Sequence, residues 1–475
     1  MNNNVINADI CVIGAGSGGL SVAAGASQMG ADVVLLERGK MGGDCLNYGC
    51  VPSKALLAAG HKAEEFRTSA AFGIEAADPK IDFAKVNEHV HSVIAAIEPN
   101  DSVERFEGLG VRVIQEAGTF IGPREVKVGE NSIHAKYFVI ATGSSASVPP
   151  IPGLAETPYL TNETIFELKE CPAHLVIIGG GSIGCELAQA HRRLGARVTV
   201  LEMFNVLAKD DPEAAEVVRL QLLREGVELR EGVKIEGVSG SEGAISVTLD
   251  FEGETQVVEG SHLLIAAGRS PNVEGLGLEA AGISYSNKGI VVDARLRTSN
   301  KRVFAIGDVS GGLQFTHVAG YHAGIVIRNA IFKLPAKADH RAVPWVTFTD
   351  PELANVGLTE VQAKESLGDD IRILRWPFAE NDRAQAERRT DGFIKVIADK
   401  KGRMHGACIV GAHAGELIFP WALAVEKRMK VGAIAGAIAP YPTIGEVSKR
   451  ATGTFYTPSL FSDRTKKIVR FLMKF

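Results

Sequence analysis

Cysteine is scarce in this chain. Six in 475 residues cannot make a disulfide framework, which needs a much denser supply. Basic residues do not outnumber acidic ones. The formal charge is −5, which gives no reason to expect nucleic acid. Long apolar runs are missing too. Ile10 to Ala26 is interrupted by glycines and serines, and Val431 to Ala439 is too short to span a bilayer. No basic residue precedes the first apolar run, so neither a secretory signal nor a spanning helix is indicated. The expectation is a cytoplasmic protein. No second Cys or His pair at ligand spacing accompanies the one close cysteine pair, so no metal site is expected.

What is present is glycine, 52 residues of it, in an otherwise ordinary globular composition with 45% hydrophobic and 23% charged residues. The length suggests about three domains at ~150 residues each. Asp9-Ile10-Cys11-Val12-Ile13 reads as a buried strand. Gly14-Ala15-Gly16-Ser17-Gly18-Gly19 turns it into a helix, and Asp32-Val33-Val34-Leu35-Leu36 is the next strand, ended by Glu37. Gly14, Gly16 and Gly19 form a G-x-G-x-x-G turn. The first permits the tight turn, and the second lets backbone approach a pyrophosphate seated on the helix N-terminus. Glu37 is placed to accept hydrogen bonds from a ribose. A lone glycine motif is weak evidence, but strand, turn, helix, second strand and terminal acid together are strong.

The same plan recurs. Leu175-Val176-Ile177-Ile178 is a strand, Gly179, Gly181 and Gly184 mark the turn, and Arg197-Val198-Thr199-Val200-Leu201 ends in Glu202 at the same spacing. Ala266-Ala267-Gly268-Arg269 echoes an earlier strand end, Ala141-Thr142-Gly143. This is an internal duplication of architecture, and two such units suggest two dinucleotides. The first lies beside the close cysteine pair and is expected to hold FAD. The second is expected to hold a nicotinamide dinucleotide. Glu202 favours the free 2′-hydroxyl of NAD, because a 2′-phosphate would be repelled and would call for arginine. No basic residue follows until Lys209.

The cysteine pair is Cys45 and Cys50, in Gly42-Gly43-Asp44-Cys45-Leu46-Asn47-Tyr48-Gly49-Cys50-Val51-Pro52-Ser53-Lys54. On a regular helix these positions point away from each other, so a bridge needs irregular backbone, which Gly49 and Pro52 permit. A structural bridge or two unrelated thiols would fit. Inside a cell, a close pair is more often catalytic or metal-binding.

Later in the chain, Arg302-Val303-Phe304-Ala305-Ile306-Gly307-Asp308 is another strand, and Asp308 could bind a ribityl hydroxyl. A helix near Gln314-Phe315-Thr316-His317 could aim its N-terminus at the electron-rich end of a flavin. From Arg341 onward the texture becomes α+β, with antiparallel strands and no nucleotide signature. The tail, Ser462 to Phe475, sets five basic residues against one acid. Its expected state is a helix packing Ile468, Phe471, Leu472 and Phe475 on the protein, with membrane-surface contact the lesser alternative.

Taken together, the cysteine segment, both glycine turns, the Ala-Thr-Gly strand ends, Gly307-Asp308 and Phe348-Thr349-Asp350-Pro351-Glu352 with Val356-Gly357-Leu358 resemble the FAD-dependent pyridine nucleotide–disulfide oxidoreductases. That family includes dihydrolipoamide dehydrogenase, glutathione reductase and mercuric reductase, and the resemblance runs over essentially the whole chain. It implies an α/β fold of two Rossmann-like domains and a C-terminal α+β dimerisation domain. The divisions expected are 1–152 with 275–340 for FAD, 153–274 for NAD and 341–475 for the interface. It implies a homodimer whose active site is shared between subunits.

The resemblance also implies roles. Cys50 would exchange electrons with the flavin, and Cys45 would be the exposed thiol that meets substrate. Lys54, paired with Glu186, would lie beside the flavin. Gly14, Gly16, Gly19, Glu37, Gly43, Thr142, Gly143, Gly307, Asp308, Gln314, Phe315 and Thr316 would line the FAD site. Gly179, Gly181, Gly184, Glu202 and Gly268 would line that of NAD.

Two departures stand out. Asp44 replaces the usual hydroxyl residue, and a carboxylate there would raise the Cys45 thiol unless neutralised. In Pro440-Tyr441-Pro442-Thr443-Ile444-Gly445-Glu446, Tyr441 stands where dihydrolipoamide dehydrogenase carries its histidine base, while Glu446 remains. A phenol near ~10 is a poor base at neutral pH. Mercuric reductase is similar at this point, but it usually carries a C-terminal vicinal cysteine pair and an additional N-terminal metal-binding domain. Here no cysteine follows Cys408. The expected activity is NAD(H)-linked thiol–disulfide exchange on a lipoyl-type dithiol. The rivals are reduction of a mercuric or other metal ion, and a redox-sensing flavoprotein with little turnover.

Overall fold

The computed structural model describes residues 4–475. Its chain divides into two units. One comprises the chain up to Gly179 with Arg193–Thr199 and Lys234–Asp339. The other comprises Gly180–Arg192, Val200–Val233 and His340–Phe475.

The first unit begins with β1 (Asn4–Ile13), α1 (Ser17–Gln28) and β2 (Val33–Leu36), followed by α2 (Gly43–Asn47) and α3 (Cys50–Thr68). Strands β3 (Val111–Ile114), β4 (Gly118–Gly122), β5 (Glu125–Val128) and β6 (Asn131–Ile140) complete the sheet, in the order β3-β2-β1-β6-β5-β4. The strand Val303–Ala305 adds to β6 in parallel, and β1 runs parallel to both β2 and β6. Every residue of β2 is buried, as a strand covered on both faces requires. The alternation along β1 divides the core. Ile10 and Val12 join Leu20, Ala23, Phe304 and Val326 on the face covered by α1 and the helix Thr316–Ala330. Cys11 and Ile13 join Phe120, Phe138 and Ile140 on the other. In the same unit His174–Ile178 pairs in parallel with His262–Ile265, and three antiparallel strands span Lys234–Gly260.

The second unit is built on a five-stranded antiparallel sheet. Its order is Pro344–Thr347, Glu352–Gly357, Met404–Gly411, Phe393–Asp399 and Ile371–Pro377. Helices Phe419–Glu426 and Glu446–Gly453 cover it, with Trp421 fully buried and its indole N–H donating to Ser448 at 3.2 Å. Within this unit Lys395 is 5% exposed and surrounded by carboxylates: Asp211 at 2.9 Å, Glu213 at 3.1 Å and Glu360 at 3.2 Å.

The helix Asp463–Leu472 forms as the tail's periodicity predicts, capped by the Ser462 hydroxyl. Its expected packing does not occur. Ile468, Phe471, Leu472 and Phe475 are all exposed, because no other segment of the chain lies over them. Among the described residues no helix is long and apolar enough to cross a membrane.

Candidate functional site

The glycine turn after β1 is fixed by what a side chain would strike. Gly14 sits at φ +103°, and a Cβ there would lie 2.5 Å from the Ala141 carbonyl oxygen at the end of β6. Only glycine fits. The Ala15 N–H donates to one oxygen of Glu37 at 2.6 Å and the Gly39 N–H to the other at 2.7 Å. The acid that closes β2 therefore also shapes the turn. Gly16 caps α1 with no side-chain hydrogen bond, which leaves the first-turn N–H groups directed at whatever anion the turn receives.

The second turn repeats this atom for atom. Gly179 is at φ +113°, with a would-be Cβ 2.4 Å from the Ala266 oxygen. In the second unit the Gly180 N–H donates to Glu202 at 2.6 Å and the Phe204 N–H to its other oxygen at 2.9 Å. Gly181 opens onto free space, Gly184 lies in the following helix, and Gly268 takes φ +119° after its strand. Met203 and Phe204, next to Glu202, are exposed.

The cysteine segment is held against the first turn. The Gly42 N–H donates to the Ala15 carbonyl at 3.0 Å. Gly43, at φ +60°, would place a Cβ 2.7 Å from the Gly16 Cα. Backbone thus meets backbone, and the glycines bring the cysteines to the dinucleotide turn. Cys45 lies in the last turn of the short α2, while Cys50 opens the long α3. Both are free thiols, Cys45 half-buried and Cys50 exposed. Cys45 is enclosed by the side chains of Cys50, Thr316 and Ser17, to which it is hydrogen-bonded.

The two sulfurs are strongly polarised. The Cys50 thiol is lowered to about 6. The chief cause is the hydrogen bond from Cys45; Thr316 and the Lys54 charge add to it, while burial and Asp44 oppose it. The start of a helix favours an anion in the same sense. Cys45 is pushed well up, first by its hydrogen bond to Cys50 and then by burial. The Asp44 carboxylate is largely occupied, the condition under which it was expected not to raise Cys45. Arg269 pairs with it at 3.0 Å and the Asn162 amide donates to it at 2.9 Å. Lys54 stands one turn along α3 from Cys50 and reaches the Ser53 hydroxyl at 3.4 Å. Glu186, in the second unit, is buried and accepts from the Phe348 N–H at 2.9 Å.

At the end of β6, Thr142 and Asn272 exchange hydrogen bonds, Oγ1 to carbonyl at 2.8 Å and amide to carbonyl at 2.9 Å. Gly143 takes φ +68°. Arg269 donates to Ser144 at 2.7 Å and Ser144 to Asp308 at 2.6 Å. Burial raises the Asp308 carboxyl against the pull of Ser144 and Arg269. Gly307 donates to His322 at 3.2 Å. Gln314 is half-buried, and the Phe315 ring stacks on His317 with centroids 5.2 Å apart. The Thr316 hydroxyl lies 3.5 Å from the Cys50 sulfur. Sequence reasoning placed Thr316 in the FAD site but missed this contact, and it missed the bracing by Ser144, Arg269 and Asn162. Arg269 had a signal, since it follows the second Ala-Ala-Gly strand end.

In the second unit, Tyr441 is 71% exposed and its hydroxyl donates to Asp382 at 2.9 Å. That bond, and more weakly the Glu446 charge, raises the phenol above its ordinary value. Glu446 occupies the first turn of its helix. Asp382 was not anticipated, and nothing in its own sequence neighbourhood marks it.

The sequence pattern of the pyridine nucleotide-disulphide oxidoreductases matches residues 8–323, and that of their dimerisation domain matches 343–452. The chain belongs to this family, has its flavoprotein disulfide reductase fold, and uses the family's cofactors, FAD and NAD(P)H. The dimerisation domain supports a homodimer. Among relatives, mercuric reductase of Staphylococcus aureus is 37% identical over 94% of this chain and 82% of its own. Dihydrolipoyl dehydrogenase of Geobacillus stearothermophilus is also 37% identical, over 94% and 96%. The solved structure of the HOCl-induced flavoprotein disulfide reductase RclA from Escherichia coli aligns with a TM-score of 0.83 at 30% identity, covering 94% of this chain and 99% of that one.

The first turn fits FAD on its own geometry. Glycines leave no Cβ at the pyrophosphate approach, the uncapped helix α1 offers N–H donors, and Glu37 presents a carboxylate at the end of β2.

Proposed function

We propose that this chain is an NADH-linked thiol–disulfide oxidoreductase, working as a cytoplasmic homodimer, that passes electron pairs outward through Cys45 and Cys50 to a lipoyl-type disulfide. The observation that carries the reading is the pair of free thiols held against the first glycine turn, Cys45 in the last turn of α2 and Cys50 opening α3. Their mutual hydrogen bond lowers Cys50 and raises Cys45. The FAD-holding part is 1–152 with 275–340, the NAD-holding part is 153–274, and 341–475 forms the interface. FAD, when bound, supplies two-electron exchange between the nicotinamide and the cysteine pair.

The chain's own residues do the rest. Gly14, Gly16, Gly19 and Gly43 admit the pyrophosphate to the helix N-terminus, and Glu37 takes the ribose hydroxyls. Thr142, Gly143, Gly307, Asp308, Gln314 and Phe315 line the remainder. On the nicotinamide side, Gly179, Gly181, Gly184 and Gly268 shape the pocket. Glu202, already oriented by two backbone N–H groups, selects the free ribose of NAD. The hydrogen bond from Cys45, then Thr316 and Lys54, favour the ionised form of Cys50.

In the reduced pair, Cys45 passes its proton to the hydrogen-bonded Cys50 thiolate as it attacks one sulfur of the substrate disulfide, and the displaced sulfur takes that proton from Cys50. Cys50 then attacks the Cys45 sulfur of the mixed disulfide and closes the Cys45–Cys50 bond, and the second substrate sulfur leaves as a thiolate that solvent protonates. One disulfide is consumed and one formed.

Tyr441 is supplied with Glu446 by the other subunit. Its phenol holds its proton more tightly than usual, so it is a poor base for an incoming dithiol at neutral pH. The direction of flux follows from the potentials and concentrations of the two couples. The same exposed tyrosine favours a second reading, reduction of a soft metal ion, which needs no deprotonated thiol substrate. The relatives named mercuric reductase support it.

Anaerobic titration of the holoenzyme with NADH and then NADPH tests the core of this. A long-wavelength thiolate charge-transfer band is expected, and at lower NADH than NADPH concentration. Simple bleaching without the band would sink the mechanism. Parallel assays with lipoamide, glutathione disulfide and Hg(II), each with NADH, then rank the substrates.

A further inference from the structure

We infer that the helix Asp463–Leu472 is a docking element for anionic bilayer surfaces. At 3.6 residues per turn, Ile468, Phe471, Leu472 and Phe475 share one face, and Val469 and Met473 widen it. The turn continues past the helix, with the Met473, Lys474 and Phe475 N–H groups donating to the Val469, Phe471 and Leu472 carbonyls. None of this face is covered: Phe471 is 60% exposed, Leu472 61% and Phe475 97%. Leu460 and Phe461 just before it are exposed as well. Such a concentration of exposed apolar side chains marks an interaction surface rather than ordinary scatter.

The charge pattern decides what the surface fits. Lys466, Lys467, Arg470 and Lys474 occupy the opposite arc, while Arg464, in the first turn, projects on the apolar side between Phe471 and Phe475. Asp463, the segment's one acid, is paired with Lys466 at 3.6 Å. Lys466 and Lys467 border the apolar arc on its two sides, so their stems can lie along it while their ammonium groups reach phosphates. A helix with apolar residues on one face, cations on the other and at the seams, and little net hydrophobicity lies flat in a lipid interface. An anionic leaflet complements it. A second copy of the chain fits less well: the helix lies within the proposed interface part 341–475, but the family's dimerisation pattern ends at residue 452, and pairing two such helices would bring their cationic seams together. A homodimer would present two such helices, and the second engagement would be intramolecular.

The test is co-sedimentation of the holoenzyme with phosphatidylcholine vesicles, with and without phosphatidylglycerol. Binding is expected only to the anionic vesicles. Combined Lys467→Gln, Arg470→Gln and Lys474→Gln should weaken it by at least about tenfold, and Phe471→Ser with Leu472→Ser should abolish it. Flavin content and NADH turnover should be unchanged in both variants. No binding to anionic vesicles, or undiminished binding by the serine variant, overturns the proposal. Sedimentation equilibrium supplies the other arm. The serine variant should remain a dimer, and its dissociation to monomers would assign the face to a second copy instead.

Discussion

Replacing Thr316 by valine keeps the shape of the side chain and removes one hydroxyl from the sulfur pair. The Cys50 thiol sits at about 6, held there first by Cys45 and then by Thr316 and Lys54, with burial and Asp44 pulling the other way. A hydrogen bond to a charged group contributes ~1.5–3 kcal/mol. This one is 3.5 Å long and Cys50 is exposed, so we discount it to about 1 kcal/mol for solvent screening. At ~1.36 kcal/mol per pH unit, the Cys50 midpoint in Thr316→Val should rise by about 0.7 unit. The thiolate exists above its pKa and is lost below it. At pH near 6, the thiolate fraction should therefore fall from about half to about a sixth.

The measurement is the pH dependence of iodoacetamide alkylation of the reduced enzyme, with thiolate ultraviolet absorbance as a second readout. Cys11, Cys185 and Cys408 do not interfere, because burial pushes all three far up. Two further variants fix the sign. Cys45→Ala removes the largest lowering influence and should raise the midpoint further than Thr316→Val. Asp44→Asn removes a raising influence and should lower it by a few tenths of a unit, small because Arg269 already neutralises the carboxylate. An unmoved midpoint in Thr316→Val, or an upward move in Asp44→Asn, would refute the account of how Cys50 is ionised.

Three other outcomes are expected. Glu202→Arg removes the acceptor that orders the Gly180 and Phe204 N–H groups, so KM for NADH should rise by at least about tenfold and KM for NADPH should fall; steady-state kinetics with both cofactors checks this. Tyr441→His supplies a base of matched pKa and should raise the rate of dihydrolipoamide oxidation by NAD+, most clearly above pH ~6.5 where imidazole is neutral; no change would remove the argument that a missing base limits dithiol oxidation. Lys395→Met leaves Asp211, Glu213 and Glu360 facing one another without their cation and should cost about 3–5 kcal/mol of stability, read as a lowered thermal midpoint with the family fold retained at low temperature.

The sequence made the two dinucleotide turns plain because their chemistry is written in backbone. Gly14 and Gly179 each face a carbonyl oxygen that would collide with any Cβ, and Glu37 and Glu202 each gather two N–H groups at a fixed spacing. Such constraints leave a local signature. The network around Asp44 leaves none, because it joins Asn162, Arg269, Ser144 and Asp308 from widely separated stretches. Only folding brings them together. Lacking that, sequence reasoning could state only that Asp44 needed neutralising and could not name Arg269 as the residue that does it. The tail was misjudged for a related reason. Periodicity established that an amphipathic helix forms there, but not whether anything covers it.

This contrast explains why electron entry can be argued so much further than exit. Entry depends on the shape of the main chain, and shape restricts which residues a turn accepts. Exit depends on the proton affinity of one side chain, and that is set by a neighbour remote in sequence. Tyr441 would titrate near ~10 on its own; Asp382, in the helix Asp382–Ala386, raises it further. Exchanging this one side chain for histidine would supply a base for thiol exchange at neutral pH, while every glycine, both cysteines, Glu37 and Glu202 stayed in place. Relatives with different named substrates can therefore share the scaffold to the same degree. Resemblance along the chain says little about what Cys45 meets, and the decisive readout is the pH profile of exchange in each direction, compared between Tyr441 and its histidine variant.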